Sequence, residues 1–315
     1  MTLPRIAIVG AGQVGATAAH LIALKGLGHV TLIDIVDGLA QGKALDLMQS
    51  APIEGFDVSV TGTTDFNALA GHRVVVITAG LARKPGMSRD DLLVANANVV
   101  GPIADRIAKV APEAIIIVVT NPLDLMVALV LKRSGFPRAR VMGMAGVLDS
   151  ARLRAFIAQR LSVLPADVQA LVLGSHGDLM VPLPGSITIR GEPVTKFLKP
   201  EELDALLQRT KDGGAEIVAL LKQGSAFYAP ASGVVDMVSA ILTDRRAVLP
   251  ACVRLDGEYG LRETCIGVPV QLGSGGIERV VEVSLSAAEH AALTAAAQEI
   301  AQGIAGLTAL QAGVH

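Results

Sequence analysis

The chain has 315 residues, 51% of them hydrophobic, enough to bury a large core and to form two closely associated domains. A net charge of −2, an aromatic content of 3% and the lack of tryptophan exclude the clustered basic surface or base-stacking face of a nucleic-acid binder, which leaves a small molecule as the expected partner. Cys252 and Cys265 are the only cysteines and lack CxxC spacing, so they read as buried thiols rather than as a disulfide framework or a zinc site.

The first apolar run, residues 6–9, is too short to cross a bilayer and leads straight into a glycine-rich turn. The remaining apolar residues are spread along the chain, with no segment of about 20 that a membrane span would require. No membrane association is expected, and the chain is read as cytoplasmic.

The turn after the first strand reads Gly10, Ala11, Gly12, Gln13, Val14, Gly15, and a helical stretch follows at 16–25. Gly10 permits the tight turn, Gly12 lets the backbone approach a pyrophosphate, and Gly15 lets the helix sit close to the strand. The helix N-terminus offers unpaired N–H groups to phosphates. A second strand at 30–35 carries Asp34, about 20 residues beyond the turn, where a carboxylate accepts from the adenosine ribose hydroxyls and repels a 2′-phosphate. NAD is therefore favoured over NADP.

Further strand-like runs stand at 58–60, 74–78, 115–120 and 141–142, several of them apolar on consecutive positions, as in parallel strands covered on both faces. The expected fold is α/β: a doubly wound Rossmann sheet over residues 1–146, followed by an α+β catalytic domain over 147–315. After the fourth strand comes a loop with three cations, Arg83, Lys84 and Arg89. Lys84 reads as a solvated charge, whereas two arginines flanking Pro85 and Gly86 suit a lid that closes on an anion. A helix is expected after Asp91, with Leu92, Val99, Ile103, Ile107 and Val110 on its buried face, ending before Pro112.

Asn121-Pro122 ends the strand at 115–120, on the sheet edge where open sheets bind ligands. Asp149 and Arg152 share a face at the start of a helix near 150–162. The run 168–173 leads into Gly174, Ser175, His176, Gly177 and Asp178, a histidine between glycines in a loop. Such a histidine bonded to a carboxylate is the usual proton acceptor near neutral pH. Helices are expected near 200–222 and 230–243, strands at 266–271 and 279–285, and an Ala-rich helix at the end. No two histidines stand at metal-ligand spacing, so no metal is expected.

Taken together, the glycine turn at 10–15, Asp34, ARKPGMSRDDL at 82–92, Asn121-Pro122, LDSAR at 148–152 and GSHGD at 174–178 resemble the lactate/malate dehydrogenase superfamily almost end to end. IDIVDGLAQGKALDL at 33–47 and GSAFYAPA at 224–231 look like its lactate-dehydrogenase-like malate dehydrogenases of bacteria and archaea. The resemblance implies hydride transfer between NAD and a small 2-hydroxy dicarboxylate. His176 would be the proton carrier and Asp149 its orienting partner. Arg152 would hold the C1 carboxylate, Arg89 would polarise the C2 carbonyl, and Asn121 would bond near the reacting oxygen and the nicotinamide. It also implies Asn96 at the cofactor site beside Gly10, Gly12, Gln13, Val14, Gly15 and Asp34, and a homo-oligomer, tetramer favoured over dimer.

Arg83 carries the substrate reading, since the family typically has Gln there in lactate dehydrogenases and Arg in malate dehydrogenases. Lactate dehydrogenase activity is the nearest alternative. A dinucleotide sensor without turnover would explain Gly10 to Gly15 and Asp34 but not the cations, His176 and Asp149 together. Two departures stand out: Ser175 where relatives often have Gly or Glu, and Ala226 where lactate dehydrogenases often have Thr.

Overall fold

In the computed structural model, residues 3–81 and 88–312 are described, the side chains of Arg89 and of residues 308–312 excepted. The first half runs β1 (Arg5–Val9), α1 (Gln13–Leu24), β2 (His29–Ile33), α2 (Leu39–Glu54), β3 (Val60–Thr63), β4 (Val74–Ile77), α3 (Arg89–Val110), β5 (Ile115–Val118), α4 (Leu123–Ser134) and β6 (Val141–Gly143). These strands are parallel, in the order β3-β2-β1-β4-β5-β6. The order reverses between β1 and β4, which opens a crevice at the carboxyl edge of the sheet.

The consecutive apolar positions have the expected cause. Ile6 and Ile8 of β1 join one buried cluster, Ala7 and Val9 the cluster on the opposite face, and β4 and β5 divide in the same way. A strand covered on both faces has no solvent side, so alternation disappears from its sequence.

The second half comprises α5 (Gly146–Leu161), β7 (Val168–Gln169), β8 (Val172–Gly174), β9 (Met180–Pro182), β10 (Thr188–Ile189), β11 (Glu192–Pro193), α6 (Pro200–Leu221), α7 (Tyr228–Leu242), β12 (Ala247–Asp256), β13 (Arg262–Gly273), β14 (Gly276–Val280) and α8 (Ala287–Ala312). Here the structure departs from the sequence reading. β12, which no pattern announced, pairs antiparallel with both β6 and β13 and carries the sheet onward to β8 and β9. Among the described residues the sheet reaches eleven strands. Pro250 and Arg254 hid β12, because proline and charge argue against an interior strand. The expected strand at 168–173 is in fact two: β7 joins a small sheet with β10 and β11, while β8 joins the large one. Over the small sheet, Leu153 and Ile157 of α5 and Leu203 and Leu206 of α6 close a third buried cluster.

α3 begins earlier than expected. Ser88 caps it: its hydroxyl accepts from Asp91 N at 3.0 Å, and Asp91 Oδ2 accepts from Ser88 N at 3.0 Å. This reciprocal cap pulls Arg89 out of the loop and into the first helical turn.

A buried histidine links the layers near β4. His72 is 4% exposed. Its Nδ1 lies 3.0 Å from Leu69 O and its Nε2 2.9 Å from the Thr31 hydroxyl. Burial, joined by the nearby charge of Arg5, lowers its pKa against the opposing pull of the Leu69 and Ala70 carbonyls. A lowered folded pKa means that the native state binds fewer protons, so this contribution to stability is full above about pH 6.5 and is lost as pH falls through the folded value. His72→Leu is expected to cost about 1–3 kcal/mol at pH 7, by removing the two buried hydrogen bonds of the ring. Urea titrations at pH 7.5 and 5.5 should then show a smaller acid-induced loss in the variant than in the native protein.

Candidate active site

β1 ends in the glycine turn at the crevice. Gly10 has φ +108°, and a Cβ there would stand 2.5 Å from Ala79 N, so β4's extension leaves room only for glycine. At Gly15 a Cβ would lie 2.0 Å from Gly10 O, which fixes α1 tightly against the turn. Gly12 differs: its missing Cβ faces open space, the room that a pyrophosphate would need above the start of α1. Asp34, just beyond β2, braces the turn, its Oδ2 accepting from Ala11 N at 2.7 Å and its Oδ1 from Val36 N at 3.0 Å. Thr78 Oγ1 donates to Gly10 O at 2.8 Å from the β4 side.

The second cluster is built on α5 and the loop after β8. Asp149 is in the first turn of α5, and Ser150 Oγ accepts from Val172 N at 3.0 Å, tying that turn to β8. The loop leaving β8 returns His176 over the helix, where its Nδ1 lies 2.9 Å from Asp149 Oδ2. Asp149 is 2% exposed and the histidine side chain 15%. Burial of the ring works to lower its pKa, but the charge and hydrogen bond of Asp149 outweigh it and hold His176 above the ordinary histidine value. Arg152 opposes this rise with its own charge, and Asp124 adds to it. Arg152 Nη1 reaches Asp149 Oδ1 at 3.4 Å, while its Nε is buried without a partner among the described residues.

One cavity of about 320 Å³ is lined by Val14, Asn121, Arg152, His176 and Ala226. It thus joins the glycine turn of the first half to the histidine and arginine of the second. A buried carboxylate, an imidazole whose Nδ1 it holds, and an arginine on the wall of the same cavity form a constellation for moving a proton on an oxygen next to a bound carboxylate.

Comparison with known proteins agrees. Residues 4–143 match the lactate/malate dehydrogenase NAD binding domain, and residues 146–311 match the lactate/malate dehydrogenase alpha/beta C-terminal domain. The chain belongs to the lactate/malate dehydrogenase family. It is 53% identical over 307 residues to a malate dehydrogenase of Roseiflexus sp. (strain RS-1), covering 98% of this chain and 99% of that relative. In three dimensions it resembles the malate dehydrogenase of Cryptosporidium parvum, with a TM-score of 0.96 and 42% identity over 98% of this chain and 100% of that one. The lactate dehydrogenase of the same organism, complexed with lactic acid and NAD, gives 0.94 and 37%, over 98% and 99%. The backbone is therefore common to both substrate classes, and discrimination rests on side chains.

Within this dehydrogenase family frame, the residues singled out in the sequence fall into distinct positions. Val14, Asn121, Arg152 and His176 share the cavity, and Asp149 lies directly behind His176. Gln13 opens α1 next to Val14. Asn96 is fully buried and spends its amide on backbone: Oδ1 accepts from Leu81 N at 2.7 Å, and Nδ2 donates to Leu81 O at 3.1 Å and to Asn121 O at 2.6 Å. It holds the neighbours of the cofactor crevice together. Arg83 lies outside the described residues; Arg89 is described only as the first residue of α3. Among the described residues no cluster of His, Cys, Asp and Glu could hold a metal ion, and no helix is long and apolar enough to cross a membrane.

Sequence reasoning missed Asp124. It lies three residues after Asn121 in the first turn of α4, among buried Leu123, Met126 and Val127, and Ser175 Oγ donates to its Oδ2 at 2.6 Å. The available signal was a carboxylate set among the apolar residues of that helix.

Asp34 offers the cleanest test of the cofactor crevice. Asp34→Ser removes both the ribose acceptor and the brace on Ala11. NADH affinity is expected to fall about tenfold or more, and the preference for NADH over NADPH to shrink, in fluorescence titrations of the two dinucleotides.

Proposed function

We propose that the chain is an NAD-dependent malate dehydrogenase that interconverts (S)-malate and oxaloacetate, with residues 1–146 binding the dinucleotide and 147–315 supplying the proton-transfer and carboxylate-binding groups. The observation that carries this reading is His176, held by the buried Asp149, in one cavity with Arg152, Val14 and Asn121. The glycine turn, the open space over Gly12 and the Asp34 carboxylate suit NAD. When bound, NAD supplies the nicotinamide C4 that accepts or returns the hydride.

The remaining work falls to the chain. Asp149 holds Nδ1–H, which fixes the ring tautomer and leaves Nε2 for the substrate oxygen. In the oxidative direction neutral His176 takes the C2 hydroxyl proton, and Asp149 stabilises the imidazolium that results. In the reductive direction imidazolium returns the proton to the oxygen at C2. The raised pKa favours the charged form, so oxaloacetate reduction falls, and malate oxidation rises, as pH climbs through the His176 value.

Arg152 meets the C1 carboxylate with its guanidinium, whose planar donors match a carboxylate. Asn121 bonds near the reacting oxygen, and Arg89 polarises the C2 carbonyl from the start of α3. Arg83 receives the second carboxylate. Pyruvate would leave that guanidinium without an anion in a closed site, which is why a dicarboxylate is the substrate. Ala226 on the cavity wall adds no competing hydrogen bond. The same reading makes the protein a cytoplasmic homo-oligomer, tetramer before dimer, working in the tricarboxylic acid cycle.

Two substitutions test the assignment. Arg83→Gln is expected to lower kcat/KM for oxaloacetate far more than for pyruvate, shifting the ratio by as much as about 10⁴. Equal losses on both keto acids, in a spectrophotometric NADH assay, would count against malate. His176→Asn is expected to retain NADH binding and lose hydride transfer by roughly 10²–10⁴. Normal turnover by that variant would remove His176 from the mechanism.

A further inference from the structure

One buried carboxylate has no part in the proton transfer described above. Asp124, at the start of α4, is 5% exposed. Its Oδ2 accepts from the Ser175 hydroxyl at 2.6 Å and from the His176 backbone N–H at 3.2 Å. Its Oδ1 is buried without a nitrogen or oxygen partner, and the Cys252 thiol of β12 stands beside the carboxylate. Two donors on one oxygen favour the ionised form, and the burial around them opposes it. A buried anion is costly unless charge and hydrogen bonds compensate it. No arginine or lysine is paired with it among the described residues; the cation that acts on it is His176.

The geometry points to Asp124 as a positioning residue for this reaction, a second carboxylate behind the loop after β8 that anchors that loop directly at the His176 backbone N–H and at the Ser175 hydroxyl. The inference rests on the malate dehydrogenase reading and deepens it. The two carboxylates have separate roles, since Asp149 orients the ring at Nδ1 whereas Asp124 anchors the peptide that carries it. Ser175, which departs from the residues common in relatives, thereby becomes part of the anchor.

The charges around the site agree with this division. Burial prevails and holds the Asp124 carboxyl above the ordinary carboxylate value, against the opposing pull of Ser175, Cys252, and the charge and backbone N–H of His176. Burial also drives Cys252 well above the ordinary thiol range, so it remains an S–H donor. Arg152 and Asp149 face the histidine from α5, Cys265 faces Asp124 from β13, and Asp178, Asp90 and Glu299 line the adjoining cavity. Of these, Asp149 and Asp124 act to raise the His176 pKa and Arg152 to lower it.

Asp124→Asn keeps the shape and an acceptor oxygen but removes the charge. Titration of isotope-labelled histidine in the full-length protein by NMR is expected to move the His176 midpoint down by about one pH unit. The pH at which kcat for oxaloacetate reduction halves should fall with it, while the NADH dissociation constant stays within about twofold. Ser175→Ala keeps the charge and removes the hydroxyl; the midpoint should hold while kcat falls about tenfold or more, the loss of roughly one hydrogen bond to a charged group. A folded Asp124→Asn protein with the native His176 midpoint would overturn the proposal, as would native kcat in Ser175→Ala. If Asp124→Asn does not fold, Ser175→Ala decides it by the same criterion. Native protein that fails to oxidise NADH with oxaloacetate would overturn the dehydrogenase reading instead, and the NMR titration would still judge Asp124, because it needs no turnover.

Discussion

The crevice is organised around one imidazole, held in a place from which water is largely excluded. Burial alone would hold His176 neutral, and an unpartnered imidazolium there would be costly. The 2.9 Å contact with Asp149 reverses that balance, and because Asp149 is itself 2% exposed its charge is little screened. The pair needs its surroundings as much as they need it: Arg152 engages the other oxygen of Asp149, so one carboxylate is shared between the imidazole and the guanidinium on the cavity wall.

Such a pair requires a scaffold that does not drift. α5 starts three residues after β6 ends, and β8 runs directly into the histidine loop, with Ser150 joining helix and strand. β6 and β8 belong to one continuous sheet, linked through β12 and β13. The same sheet carries β1 and β4, whose carboxyl ends hold the glycine turn. A single hydrogen-bonded framework thus sets the distance between the dinucleotide crevice and His176, the kind of fixed separation on which oriented reactants depend.

Much of this was legible in the sequence, for identifiable reasons. Glycines at 10, 12 and 15 followed by Asp34 have few other uses after a buried strand, and the parallel half declared itself through consecutive apolar runs at β1, β4 and β5. Asp149, Arg152 and His176 could be nominated from helix spacing and a glycine-flanked loop, although their contact crosses 27 residues and no local pattern encodes it. β12 was hidden because Pro250 and Arg254 contradict strand preference, and the neighbouring strands β6 and β13 overrode it. Asp124 was hidden because a carboxylate at a helix start reads as a favourable partner of the helix dipole, whereas here it serves a loop 51 residues away. Asn96, which the family resemblance puts at the cofactor site, is bonded to the backbone of Leu81 and Asn121, contacts that no local pattern encodes.

The most direct measurement is a single-turnover, stopped-flow record of NADH oxidation by oxaloacetate in Asp149→Asn protein, with NADH binding determined in parallel. If the buried carboxylate governs the tautomer and charge of His176, hydride transfer falls by roughly 10²–10⁴ while NADH binds as in the native protein. A rate within a few-fold of native, in a variant that binds NADH normally, would contradict the account at its centre.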